Sequence, residues 1–384
     1  MNIKTKVGSV ELDSPLLIGS GYITEDTSFY ARSVTRGCAG MVSRSLKLNV
    51  PKERQQVPAP RYVVTHDGSM LNCEWGNEKP WTDWRDKEFR LAKEIRGAII
   101  ISISGRDVES CKRLIQEIDS FEPDAYEVNI SCAHSGELHG NLNLDIEHLR
   151  YVLRTIRPLT KRPIWVKLSY SSILLDMAVA AEQNGADAIV CTNSIGPGLY
   201  LDPKTGRPSL GIMGGAGGLT GSAIFPIALQ CVYKLHKHLQ IPIVGVGGIS
   251  TAEHVIQMML AGASAVQLYT APALYGPRVF EEVTNGLDSY LTEHEMFSNI
   301  TELVGYSHTL TEQHVFEAPP PQVIADQCTG CLQCASSCAF DALKFISRGT
   351  DQPKLVVIKD NCIGCNACVG VCPPEFDALK VQMR

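Results

Sequence analysis

Eight short runs of β-type residues, each followed by a longer stretch, restrict this chain more than anything else in it. The first four are LLIGS (16–20), GMVSRSL (40–46), AIIISIS (98–104) and AYEVNIS (125–131). IWVKLS (164–169), AIVCTNS (188–194), PIVGVGGI (242–249) and AVQLYTA (265–271) complete the set. Helical stretches such as 107–120 and 251–262 separate them. Strands alternating with helices predict a parallel sheet, and eight such units predict an α/β fold of the closed (β/α)8 TIM-barrel kind. An open doubly wound sheet is the competing architecture. Residues 46–82 are too long for a plain connection and are expected to form an inserted loop or hairpin over the barrel mouth.

In such a barrel the chemistry lies at the carboxyl ends of the strands. The residues expected there are polar: Ser43 and Arg44, Asn129 and Cys132, Lys167, Asn193 and Ser194, Gly247 and Gly248, and Thr270. No histidine or carboxylate cluster accompanies them, so they do not read as a metal constellation. The endings GVGGIS and QLYTA follow the last two strands, and GIMGGAGGLTGSA (211–223) adds a third glycine-rich segment. Glycines there let backbone N–H groups approach a phosphate beside a helix amino terminus. A G-x-G-x-x-G dinucleotide fingerprint after the first strand is missing, so the chain shows no nicotinamide fold of its own. Lys167 interrupts the apolar strand PIWVKLSY and is costly to bury without an anionic partner. A reduced flavin would supply one, and so would a structural carboxylate.

The cysteines are unevenly spread: of fourteen, eight fall between Cys328 and Cys372. Cys38, Cys73, Cys111, Cys132, Cys191 and Cys231 stand alone, without paired spacing. CTGCLQCASSC and CIGCNACVGVC are both C-x2-C-x2-C-x3-C, the run that holds iron–sulfur clusters in bacterial ferredoxins. In that pattern the fourth cysteine serves the other cluster. Cys328, Cys331, Cys334 and Cys372 are therefore expected on one 4Fe–4S cluster, and Cys362, Cys365, Cys368 and Cys338 on the second. Two full four-cysteine runs argue against zinc, which favours separated pairs or histidine. The expected division is a barrel over 1–313, a proline-stiffened linker over 314–327, and a ferredoxin-like domain over 328–384.

Hydrophobic residues make up 44% and charged residues 20%, with a net charge of -6 and no Lys/Arg block, which argues against a nucleic-acid partner. The amino terminus carries no signal-peptide pattern and no apolar run suits a membrane span, so the expected compartment is the cytoplasm.

The motifs together resemble those of the flavin-dependent dihydroorotate/dihydropyrimidine dehydrogenase superfamily, and most closely its dihydropyrimidine branch. NISCAH is similar to that superfamily's Asn-x-Ser-Cys-Pro-His/Asn, which implies Cys132 as proton donor and Asn129 as a contact to flavin or substrate. LNCE resembles the dihydropyrimidine Asn-x-Glu, assigning Asn72 and Glu74 to polar edges of a pyrimidine, and TNS implies substrate contacts from Asn193 and Ser194. VKLS carries the flavin lysine, Lys167. GGLTGSA, GVGGI and LYTA follow the FMN pattern and implicate Gly218, Gly247, Gly248, Tyr269 and Thr270. Arg44 stands where the superfamily usually has lysine, and Ala133 replaces the proline after the cysteine.

The resemblance implies reduction of the C5=C6 bond of a uracil- or thymine-like ring, by hydride from FMN N5 and a proton from Cys132. The loop 133–143 would close over the ring, with Gly136 and Gly140 as hinges. Two one-electron clusters feeding a two-electron flavin imply a partner flavoprotein carrying FAD and an NAD(P)H site; self-association stays open. A dihydroorotate dehydrogenase or another FMN reductase is the alternative enzyme, although Glu74 would repel a substrate carboxylate. A non-catalytic electron-transfer subunit is the reading from another class.

Overall fold

A computed structural model describes residues 2–48, 59–74, 79–131, 144–211, 214–294, 296–310, 319–346 and 354–382. Cys132, the loop 133–143 and the boundary at 313 lie outside them. The chain forms two compact units, Met1–Leu310 and Thr311–Arg384.

The strands of the first unit are, in chain order, β1 (Thr5–Val7), β2 (Val10–Leu12), β3 (Leu16–Ile18), β4 (Gly40–Val42), β5 (Tyr62–Val64), β6 (Ser69–Asn72) and β7 (Ala98–Ser104). They continue as β8 (Ala125–Asn129), β9 (Ile164–Leu168), β10 (Ala188–Cys191), β11 (Ile195–Gly198), β12 (Gly217–Gly221), β13 (Ile243–Val246) and β14 (Ala263–Leu268). Eight of them, β3-β4-β7-β8-β9-β10-β13-β14, close into a barrel of parallel neighbours. All eight expected runs are barrel strands, and closure rules out the open sheet. The expected helices are present at Val108–Ile118 and Ala252–Leu260, the second capped by the Thr251 hydroxyl accepting from the His254 N–H.

Side-chain alternation sorts the barrel into an outer and an inner core. Leu16, Ile18, Met41, Ile99, Ile101, Tyr126, Val128 and Val166 face the helices. Leu17, Val42, Ile100, Trp165, Val190, Val244 and Ala265 face the axis, and Val7, Val10 and Leu12 of the β1–β2 hairpin join that inner cluster. The lower barrel is thus filled by apolar side chains. Continuing the same alternation upward brings Ser102, Glu127, Lys167 and Gln267 to the axis, all buried. The apolar floor gives way to a polar layer beneath the mouth.

A separate antiparallel sheet, β11-β12-β6-β5, carries the expected insertion. Its β5–β6 hairpin turns through Gly68 at φ +78, a left-handed conformation suited to glycine.

In the second unit β15 (Gln322–Val323) pairs with β18 (Leu379–Lys380), and β16 (Leu343–Ile346) with β17 (Lys354–Val357). The linker expected over 314–327 is corrected here: Gln322–Val323 is already a strand of this unit. Cys334, Leu343, Leu355, Cys368 and Leu379 form its small core.

Candidate active site

The polar layer is built by three barrel strands. Lys167 on β9 lies 3.4 Å from Glu127 Oε1 on β8, and donates to Gln267 Oε1 on β14 at 3.5 Å. Gln267 Nε2 in turn donates to Glu127 Oε2 at 2.7 Å. The anionic partner that the Lys167 position demands is thus present within the protein. Burial of Glu127 is complete, so the pair is an ion pair in a low-dielectric interior.

Above it, at the strand ends, Asn193 Nδ2 donates to Asn129 Oδ1 at 3.2 Å, to Ser131 Oγ at 3.2 Å and to the Ser131 carbonyl. Asn129 Nδ2 donates to Ser45 Oγ at 3.2 Å, and Ser131 Oγ to the Lys167 carbonyl at 3.0 Å. Asn129 and Asn193, expected as substrate contacts, are therefore brought together. Cys132 follows Ser131 directly, outside the described residues.

A cleft opens beside this rim. Lys167, Asn193, Ser194, Gly247, Gly248, Tyr269 and Thr270 line it together with Gly19, Ser20, Gly221, Ser222, Ser250 and Gln267. Gly247 (φ +127) and Gly248 (φ +70) both need glycine's freedom. A Cβ on Gly248 would stand 2.7 Å from the Gly221 carbonyl oxygen and 2.8 Å from the Phe225 nitrogen, where the helix Phe225–His236 begins. The glycine pair that follows the seventh barrel strand thus packs with Gly221 at the start of the helix that precedes that strand, with an ammonium deeper in the same cleft. Backbone amides, hydroxyls and a cation form a donor set that fits the phosphate and polar ring edge of FMN, and the carboxylate in the lining, Asp67, accepts from Thr65 and Ser69. Gly218 lies elsewhere: it pairs with Asn72 across β12–β6, its carbonyl accepting from Asn72 Nδ2 at 2.9 Å, while Gly221 and Ser222 line the cleft.

Arg44 is likewise not among the cleft's lining. Its guanidinium is buried between two carboxylates, 2.7 Å from Glu25 Oε2 and 3.9 Å from Glu74 Oε2. Glu74 Oε1 accepts from the Tyr62 and Tyr269 hydroxyls. Burial, reinforced by the Glu74 charge, holds both phenols far above their ordinary range, so they remain donors. Asn72 Oδ1 accepts from the Glu74 N–H at 3.4 Å. Asn72 and Glu74 therefore sit in one network with Tyr269, a cleft residue, and neither is itself among the cleft's lining.

In the second unit four cysteines line each of two cavities. Cys328, Cys331, Cys334 and Cys372 surround one, with Phe345, Leu355 and Phe376. Cys338, Cys362, Cys365 and Cys368 surround the other, with Phe340, Leu343 and Val357. The groupings are crosswise, each taking three thiols from one run and the fourth from the other. Among the described residues no three metal-binding side chains converge closely enough for a single ion. The thiols stand around a space that suits a wider cluster. Of the isolated cysteines, Cys38 and Cys111 are packed into the core, and burial pushes their thiols up to about 12, which leaves them inert.

Comparison with known proteins agrees with this division. Residues 2–291 match the family model for dihydroorotate dehydrogenase, and residues 321–381 match that for a 4Fe-4S dicluster domain. The chain belongs to the dihydroorotate dehydrogenase family. Among its relatives is the "Dihydroorotate dehydrogenase B (NAD(+)), catalytic subunit" of Methanothermobacter thermautotrophicus, 30% identical over 312 residues, 80% of this chain and 98% of the relative. The protein of the same name from Thermoplasma volcanium is 32% identical over 305 residues, 79% of this chain and 98% of the relative. That from Pyrococcus furiosus is 31% identical over 306 residues, with coverages of 79% and 98%. These matches support the superfamily and not the dihydropyrimidine branch in particular. The protein is an oxidoreductase of this family with a carboxyl-terminal ferredoxin-like 4Fe–4S domain, and no helix among its described residues is long and apolar enough to cross a membrane.

Gln267 lines the cleft, Glu127 pairs with Lys167 behind it and Glu25 with Arg44, and none of the three is singled out by the sequence reading. Glu127 had a signal, since AYEVNIS alternates and sets Glu127 on the same face as Asn129. Glu25 had none, lying in the irregular segment after β3.

Proposed function

We propose that this protein is an FMN- and iron–sulfur-dependent oxidoreductase interconverting a CH–CH single and double bond in a pyrimidine-like ring, in the manner of dihydroorotate and orotate. The observation that carries this reading is the single cleft shared by Lys167, Asn193, Ser194, Gly247, Gly248, Tyr269 and Thr270 at the carboxyl end of a barrel of this family. Bound FMN supplies hydride-transfer chemistry. The Gly247–Gly248 amides and the Ser222 and Thr270 hydroxyls would hold its phosphate, and Lys167 would supply a positive charge to its ring system. Asn129 and Asn193 fix the substrate's amide edge, keeping the reacting carbon in register. Cys132, on the segment leaving Ser131, holds or returns the proton at the neighbouring ring carbon; a thiol of ordinary pKa near 8.5 is protonated at neutral pH, as an acid must be. Cys328, Cys331, Cys334 and Cys372 would hold one 4Fe–4S cluster and Cys362, Cys365, Cys368 and Cys338 a second, and the clusters would supply one-electron transfer. The relatives are named as NAD(+)-dependent catalytic subunits, which supports an electron-transfer partner that handles the nicotinamide. The cytoplasm, where thiols stay reduced, suits such a chain.

A second reading, reduction of a neutral uracil- or thymine-like ring at C5=C6, is favoured by one observation. Glu74 accepts from Tyr269 and shares Arg44 with Glu25, a placement of anions next to a cleft residue that is unfavourable to orotate's carboxylate. The decisive experiment is anaerobic incubation of the reconstituted protein with dihydroorotate, orotate, uracil, thymine and their dihydro forms, following the flavin spectrum. Bleaching by dihydroorotate supports the first reading. Reoxidation of dithionite-reduced enzyme by uracil or thymine alone supports the second. Protein that binds no flavin would overturn both.

A further inference from the structure

Glu127 plays no part in the assignments above, yet among the described residues it is the most deeply buried charge in the barrel. Its Oε1 faces Lys167 Nζ at 3.4 Å without a hydrogen bond of its own, and its Oε2 accepts from Gln267 at 2.7 Å. Lys167 and Gln267 line the cleft, whereas Glu127 does not. Charge is therefore layered: an ammonium toward the cleft, a carboxylate behind it, and Trp165 and the apolar floor below. Stability does not explain this arrangement. A buried ion pair is seldom better than packed apolar side chains of the same volume, and the interior of such barrels is ordinarily filled by branched hydrophobes.

We propose that Glu127 is a positioning residue which, acting through Lys167 and Gln267, sets the position and strength of the positive charge that a bound flavin meets at the cleft floor, and so its redox balance. The proposal rests on the FMN reading. Gln267 bridges the two, its amide accepting from the lysine and donating to the carboxylate, so the ammonium is held on two sides. The carboxylate also offsets part of the ammonium's field. Without it, a flavin that gains negative charge on reduction is held more tightly than the oxidised form.

The test is the reduction potential and the dissociation constant of FMN in the full-length protein. Glu127→Gln keeps the shape and the bond from Gln267 but removes the charge. It is expected to favour reduced over oxidised FMN on the order of tenfold, read as an upward shift in potential. Lys167→Met is expected to shift the potential downward, and the double variant to return toward the wild-type value. Opposite signs are the signature, since a purely structural defect would move both singles alike. An unchanged potential in Glu127→Gln, or shifts of the same sign in both singles, overturns the proposal. Should Glu127→Gln not fold, Glu127→Asp carries the test: it keeps the charge but shortens the reach, and is expected to weaken FMN binding and to raise the potential. Wild-type values for both in that variant would overturn it equally. Wild-type protein that binds no FMN sinks the functional reading and this inference together, whereas normal binding with unresponsive variants sinks only this one.

Discussion

Arg44 spends its guanidinium on Glu25 and Glu74, so three charged groups near the mouth sum to one negative charge. Glu25→Gln would bring that sum to zero without touching the cleft lining. The expected outcome is tighter binding of orotate relative to uracil by on the order of fivefold, measured by anaerobic titration of both ligands. Equal changes for both would show that the cluster acts on packing alone. Cys132→Ala is expected to retain FMN but lose about 10²- to 10⁴-fold in turnover, the usual contribution of a positioned acid. Turnover near wild type would remove Cys132 from the mechanism. Lysine, asparagine and glycine at strand ends were legible because each interrupts an otherwise apolar pattern. The carboxylates were harder, since their partners lie far along the chain: Gln267 is 140 residues from Glu127, and no local spacing records that meeting.

At the scale of elements, the barrel was readable because every strand is buried on both faces, one in the inner cluster and the other under the helices, so each reads as a short β-type run between helical stretches. The β11–β12 pair was not, because IGPG and GGLTG have little β propensity: β12 is held by pairing with β6, and β11 by pairing with β12. Expecting Gly218 to be a phosphate glycine was the consequence. The run GGLTGS places Gly218 and Gly221 three residues apart, and pairing of Gly218 with Asn72 leaves only the later one at the cleft. Gly248 offers a clean check on the cradle. Gly248→Ala strains a backbone at φ +70 and pushes a methyl against the Gly221 carbonyl and Phe225. FMN affinity is expected to fall at least about tenfold, together with thermal stability. Gly206→Ala is the control: it shares φ +70, meets nothing within 4 Å, and should cost about 1 kcal/mol of stability while leaving FMN affinity intact. Parallel losses of FMN in both variants would mean that strain, not the cradle, governs binding.

For the whole molecule, the two units divide the labour of an electron count. Ring dehydrogenation moves two electrons at once, whereas an iron–sulfur cluster passes one, so a two-electron cofactor in the barrel and the two clusters proposed for the second unit would be complementary. The crosswise cysteine sets give that division a test. Cys334 is buried in the core of the second unit and faces the cavity it shares with Cys328, Cys331 and Cys372. In the full-length protein Cys334→Ser is expected to lower the iron content by about half, if one cluster of two is lost and the other keeps its own four thiols. The barrel should be untouched, so dithionite would still reduce the flavin and substrate would still exchange with it. What should collapse is the transfer of electrons between the flavin and a one-electron protein partner, followed by stopped-flow absorbance. Full retention of that transfer with half the iron would mean that one cluster suffices. Full retention of iron would mean that Cys334 holds none of it, and the pairing read from the two cavities would have to be redrawn.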